Sequence, residues 1–197
     1  MDLALFDFDG TITEREMFAD FIHAAVSPAR LATGRLLLAP LVAGYRLGVV
    51  SGNSVRGAVV GFGLRGVPEA RARAAGETFA REVLPGVLRP TAMARIAWHR
   101  ARGDTVAVVS GALDLYLAPW CAQHGLELLC SQLEVAYGRL SGRFRGAQCV
   151  GAEKARRVSE RFALADFGTV YAYGDTREDR ELLGIADRRY FRWQEQT

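Results

Sequence analysis

The sequence predicts an α/β protein: a doubly wound parallel sheet with a bundle of helices inserted after its first strand. Three observations carry this. Short apolar runs at 3–6, 105–109 and 169–173 alternate with helix-patterned segments, and such alternation implies a parallel sheet with right-handed crossovers. Residues 14–84 show helical periodicity with no strand pattern among them. Acidic or hydroxyl residues (Asp7 and Asp9, Ser110, Asp175) follow each apolar run within two or three positions. That is the sheet edge at which open α/β folds bind ligands. The chain of 197 residues suits one domain with an insertion. Residues 1–13 and 85–197 are assigned to the core, and 14–84 to a helical insertion.

The elements follow in order. Leu3, Ala4, Leu5 and Phe6 form an apolar run closed by the turn at Gly10, the pattern of a buried strand. Phe18, Phe21, Ile22, Ala25 and Val26 have amphipathic spacing and predict a helix over 13–27. A strongly apolar helix is expected over 29–47, bent at Pro40. Ser51 to Ser54 is a turn and candidate N-cap, followed by a helix through Val60 that Gly61, Gly63 and Gly66 interrupt. Pro68 suits a first helical position, and 68–83 reads as helix. In the core, helices are expected over 90–102, 112–124, 152–162 and 177–185, with Gly125 stopping the second. Strands are expected over 105–109, 127–135, 140–144, 169–173 and 189–193, with Tyr137-Gly138-Arg139 turning the second into the third.

Composition narrows the function. A net charge of +3 comes from scattered arginines, not the dense basic stripe with aromatics of a nucleic-acid binder, so no nucleic-acid partner is expected. Cys121, Cys130 and Cys149 lack metal-type spacing and read as reduced, buried thiols of a cytoplasmic protein. His23, His99 and His124 read as surface or satisfied helix residues. Acidic Asp2, Asp7 and Asp9 interrupt the N-terminal stretch, so no signal peptide is expected. The apolar run 36–45 is ten residues long, half of what a spanning helix needs. Of 25 basic residues only Lys154 is a lysine. A compact ammonium on a flexible stem fits a tight site where a guanidinium does not.

The polar residues at the strand ends therefore comprise carboxylates at Asp7, Asp9, Asp175 and Asp179, the Ser110 hydroxyl and the Lys154 ammonium. Hard oxygen ligands without histidine or thiolate suit Mg²⁺. Mg²⁺ with a lysine neutralises a phosphate dianion, so a carboxylate nucleophile can approach it. Other duties are open to some of these groups. Ser110 suits an N-cap, Thr176 to Asp179 resembles a capping box, and Glu16 suits the first turn of a helix.

Asp7-Phe8-Asp9-Gly10-Thr11, Val109-Ser110-Gly111, Lys154 and Gly174-Asp175-Thr176-Arg177-Glu178-Asp179 resemble, in order, the four motifs of the haloacid dehalogenase-like (HAD) phosphatases. The spacing is similar to the phosphoserine phosphatase-like branch, with a helical cap inserted after the first motif. The resemblance implies a Rossmann-like core and a Mg²⁺-dependent phosphomonoester hydrolase. It implies Asp7 as nucleophile and Asp9 as general acid and base. Gly10, Ser110, Gly111 and Lys154 would hold the phosphoryl group. Asp7, the Asp9 carbonyl and Asp175 would hold the metal, and Asp179 would orient Lys154 or a metal-bound water. Glu16 lies nine residues after Asp7, where that branch recognises a substrate amine. Arg56 lies two residues from Ala58, which aligns with the branch's carboxylate-binding arginine. The expected partner is a small phosphate ester such as phosphoserine. Alternatives are a lipid phosphate entering over the apolar stretch 36–45, after a start at Glu16-Met17-Phe18 similar to phosphatidylglycerophosphate phosphatases of the same fold, or a non-catalytic binding module. No stable membrane insertion is expected, and peripheral lipid contact stays open.

Overall fold

The structure, a computed structural model, describes residues 1–196. The elements run β1 (Leu3–Phe6), α1 (Phe18–Ala25), α2 (Pro28–Arg46), α3 (Gly52–Gly63), α4 (Glu69–Glu82), α5 (Pro90–Ala101), β2 (Thr105–Leu113), α6 (Asp114–His124), β3 (Glu127–Ser131), β4 (Leu133–Ala136), β5 (Arg139–Phe144), α7 (Ala152–Arg161), β6 (Val170–Gly174), α8 (Arg180–Gly184), β7 (Arg188–Phe191) and β8 (Gln194–Gln196). The main sheet has the order β3-β2-β1-β6-β7-β8. All its pairings are parallel except the last, β7 with β8.

Strand β1 is buried on both faces, and its alternation feeds two cores. Ala4 and Phe6 join Val106 and Val108 on one side, with residues of α5, α6 and the inserted helices. Leu3 and Leu5 join Ala107 and Val109 on the other, with Val158 of α7 and Leu182 of α8. A parallel sheet covered on both faces needs such continuous apolar strands. Phe6 stacks on Tyr173 at 4.2 Å between ring centroids, and Tyr173 on Tyr190 at 4.8 Å.

Residues 14–84 contain α1 to α4. Helix α1 starts at Phe18, five residues later than the spacing suggested, because the preceding loop is spent on local bonds. The Thr13 hydroxyl donates to the carbonyls of Phe8 and Arg15, at 3.2 and 2.8 Å. Helix α2 continues through Pro40. Ser51 does cap α3, accepting the Ser54 N–H. That helix runs past Gly61 to Gly63, however, because these glycines serve close packing. A Cβ on Gly142 would sit 3.2 Å from the Gly61 Cα, and one on Gly63 would sit 3.4 Å from Val26.

The strand expected over 127–135 is two strands. β3 stays in the main sheet, and β4 leaves it to pair antiparallel with β5. This hairpin meets the loop before α4: Gly66 N–H donates to Leu140 O at 2.8 Å, Leu140 N–H to Val67 O at 2.9 Å, and Glu69 N–H to Gly138 O at 2.9 Å. The segment 177–185 is a 3₁₀ turn followed by α8. The edge strand β8, Gln-Glu-Gln, carries no apolar signal and went unread.

Candidate active site

Strands β2, β1 and β6 are adjacent and parallel. Their C-terminal ends therefore bring Ser110, Asp7 and Asp175 to one edge. Asp7 N–H is still held by the Tyr173 carbonyl at 2.9 Å, so the residue begins where the ladder ends. The chain then turns at Gly10, whose φ is +78°. A Cβ there would lie 2.3 Å from the Asp175 Oδ2. The left-handed turn and the contact with Asp175 both require glycine.

Lys154 comes from the first turn of α7 and is 2% exposed. Its Nζ donates to Asp7 Oδ1 at 2.6 Å and Asp179 Oδ1 at 2.5 Å. Asp179 is fully buried. Its Oδ2 accepts the Asp175 and Thr176 N–H groups at 3.1 and 3.0 Å. The capping box at Thr176 is formed. The two readings of Asp179 are thus one geometry: one carboxylate oxygen caps the turn and the other holds Lys154. Gly174 permits this approach, since a Cβ there would lie 2.5 Å from the Asp179 Cβ.

Asp7, Asp175 and Asp179 each bring a carboxylate oxygen within 4.8 Å of the others. The Asp9 side chain turns away from that set, and its Oδ1 accepts the Met17 N–H at 2.9 Å. Ser110 is buried, and its Oγ accepts the Ala112 N–H at 3.2 Å within β2; it does not cap α6, whose N-cap is Leu113 with no side-chain bond. A Cβ on Gly111 would lie 2.7 Å from Val150 and 3.4 Å from the Arg56 guanidinium. Arg56 reaches the same edge and pairs with Glu178 at 3.4 Å. Glu16 is exposed and has no hydrogen bond among the described residues, though its charge is felt at Asp9.

Burial sets the electrostatics. It pushes the Asp7 carboxyl up to about 8, with Lys154 opposing the rise and Asp179 adding to it. It pushes Asp9 up to about 7 against the Met17 N–H bond. It also raises Asp175, with Asp179 adding to the effect. Burial works against the Lys154 ammonium, but the Asp7 and Asp179 carboxylates outweigh it and hold the group above the usual lysine range. Two carboxylates, Asp7 and Asp179, hold the one ammonium and Asp175 stands beside them, and buried charge needs a partner. The all-oxygen donor set fits a hard divalent cation such as Mg²⁺. The three cysteines are free and buried. Burial raises the thiols of Cys121 and Cys149 to about 12 and about 11, so neither is an active nucleophile.

Three residues hold the site in roles the sequence does not assign them, Thr11 among them although it stands in the first motif. Thr11 donates to Asp175 Oδ1 at 3.2 Å. Met17 acts through its backbone, which no side-chain pattern reveals. Arg89, at the start of α5, donates to the carbonyls of Gly10, Thr13 and Glu14 at 3.2, 3.1 and 3.3 Å and pins the loop after β1. His99, by contrast, sits away from this edge, satisfied by Asp104 and the Tyr173 hydroxyl at 2.9 Å each.

A family model described as haloacid dehalogenase-like hydrolase matches residues 4–184. Protein CicA of Caulobacter vibrioides is 35% identical over 192 residues, covering 96% of this chain and 85% of CicA. A crystal structure of a protein of unknown function from Bordetella pertussis Tohama I superposes with a TM-score of 0.82 at 27% identity, over 96% of this chain and 89% of that one. A substrate-bound phosphoserine phosphatase superposes with a TM-score of 0.70 at 20% identity, over 96% of this chain and 85% of that one, and so shares the fold.

Proposed function

The chain belongs to the haloacid dehalogenase-like hydrolase family, and from that premise we propose that it is a Mg²⁺-dependent phosphomonoester hydrolase with Asp7 as its nucleophile. The observation that carries this is the contact of Lys154 with Asp7 at 2.6 Å beside Asp175 and Asp179. The Lys154 ammonium among these buried acids leaves the site short of positive charge, and a divalent metal would supply it and let a phosphate dianion approach the Asp7 carboxylate.

In this reading an Asp7 oxygen attacks phosphorus in line, forming the aspartyl-phosphate while the bond to the leaving oxygen breaks. Asp9 gives that oxygen its proton. Its carboxyl, raised to about 7, suits both donation and later acceptance near neutrality. Ionised Asp9 then takes a proton from the water that attacks the phospho-enzyme, which releases phosphate and restores Asp7. Lys154, the Ser110 hydroxyl and the backbone at Gly10 and Gly111 hold the phosphoryl oxygens. Mg²⁺ held by Asp7, the Asp9 carbonyl and Asp175 would neutralise charge on the transferring group. Asp179 positions Lys154. Residues 14–84 serve as the cap over the cleft and exclude water. The substrate is a small phosphorylated metabolite such as phosphoserine, with Arg56 beside Gly111 for an anionic group and Glu16 at the rim for a cationic one.

The test is hydrolysis of a generic aryl phosphate with and without Mg²⁺. Asp7→Asn should lower the rate by at least ~10³-fold, as for removal of a covalent nucleophile. The Lys154 ammonium keeps Asp179 as a partner in this variant, and circular dichroism checks that the fold is retained. Retained Mg²⁺-dependent activity in Asp7→Asn would refute the assignment, and inactivity of the unmodified protein would favour a non-catalytic binding module.

A further inference from the structure

We propose that the α1–α2–α3 face of the inserted helices docks on an anionic lipid surface, with its groove taking an acyl chain of the bilayer. The sequence holds no acidic residue between Asp20 and Glu69, yet it holds Arg30, Arg35, Arg46, Arg56 and Arg65. Within α2 only Gly34 is buried. Leu36 is 78% exposed and Leu37 60%, and Tyr45, Leu47 and Val49 are exposed beside them. A helix apolar around most of its circumference belongs against other apolar matter, and α2 packs chiefly on α3, leaving Leu36 and Leu37 on its outer side.

Between α1, α2 and α3 runs an open groove of about 730 Å³, lined by Leu31, Leu38, Val42, Val55, Val59 and Phe62. Arg30, Arg35 and Arg46 stand at it. An apolar patch rimmed by cations is the pattern of an interfacial helix that meets anionic lipid. No helix among the described residues is long and apolar enough to cross a membrane, so the contact is with the surface. A second copy is the poorer occupant. A two-fold contact would set these arginines against their own counterparts with no acid to answer them. Helix α3 joins this face to the cleft: Val55 and Val59 line the groove, while Arg56 between them pairs with Glu178. Docking therefore brings the strand-end site close to the bilayer, whatever its reaction.

The experiment is cosedimentation of the full chain with vesicles of phosphatidylcholine alone or mixed with phosphatidylglycerol. Binding to the mixed vesicles is expected, at least ~10-fold tighter than to neutral ones and weakened by added salt. The double variants Leu36→Glu/Leu37→Glu and Arg35→Glu/Arg46→Glu should each lose at least ~10-fold. Their circular dichroism and melting temperature should stay those of the parent, since all four side chains are exposed. The proposal is overturned by equal binding to neutral vesicles, by variants that bind like the parent, or by no vesicle binding at all. A concentration-dependent dimer that Leu36→Glu/Leu37→Glu abolishes, without vesicle binding, assigns the face to a second copy. The readout involves no hydrolysis, so it fails or succeeds independently of the catalytic reading.

Discussion

Replacing Lys154 with methionine removes the one cation among the buried acids while nearly preserving volume. Two carboxylates, Asp7 and Asp179, then lose an ammonium at 2.6 and 2.5 Å. Breaking a buried pair by deleting one partner costs about 3–5 kcal/mol. For a domain of this size that is a fall in melting temperature of roughly 6–20 °C. The loss depends on pH, and the sign follows from Asp7. Its folded value of about 8 lies above its ordinary 3.8, so the folded state binds the extra proton between those values and loses stability as pH rises through them. Without Lys154 that window extends further upward. The variant should therefore lose more against the parent at about pH 8 than at about pH 6. The assay is thermal denaturation followed by circular dichroism, without metal, at both pH values. An unchanged melting temperature, or a larger loss at the lower pH, would refute the reasoning. Lys154→Arg separates charge from shape. Arginine keeps the charge but cannot seat its planar fork in a position 2% exposed, so activity should collapse, and near-normal turnover would show that the compact ammonium is dispensable.

Two further outcomes follow from the same geometry. Gly10→Ala would place a methyl 2.3 Å from Asp175 Oδ2 at a φ of +78°. The Mg²⁺ concentration for half-maximal activity should rise by roughly 10- to 100-fold, as when a ligand's support is disturbed, and an unaltered Mg²⁺ requirement would count against Asp175 as a ligand. His99 is held below its ordinary 6.5 by burial, against the opposing Asp104 carboxylate. Its contribution to stability is present above 6.5 and is lost as pH falls below it, at no more than about 1.4 kcal/mol per pH unit. The stability difference between the parent and His99→Gln in urea titrations should therefore shrink as pH drops through that range, and a difference that grows would contradict it.

The strand ends were legible because β1 and β6 announce themselves twice, by apolar runs and by the acids that follow them. Lys154 was legible for a compositional reason, as the single lysine among 25 basic residues. Arg89 and Met17 were not, because they act on or through backbone groups, and any residue type has a backbone. The start of α1 was misplaced for a related reason. Residues 13–17 have helix-compatible composition, but Thr13 and Asp9 draw that stretch into a loop, Thr13 bonding back to Phe8 and Asp9 forward to Met17. The division of 127–135 into two strands depends on where β4 finds a partner. That is a tertiary matter which alternation along one strand does not encode.

The hairpin β4–β5 fastens the helices after β1 to the rest of the chain. Three backbone bonds tie it to 66–69, and α4 lies so close on α6 that a Cβ at Gly76 would fall 1.9 Å from the Leu115 carbonyl oxygen. The helices after β1 are therefore not a cassette that recombination can lift out at 14 and 84. A graft onto a related sheet is expected to need residues 133–144 with it, and an α6 whose backbone leaves room for the close approach at Gly76.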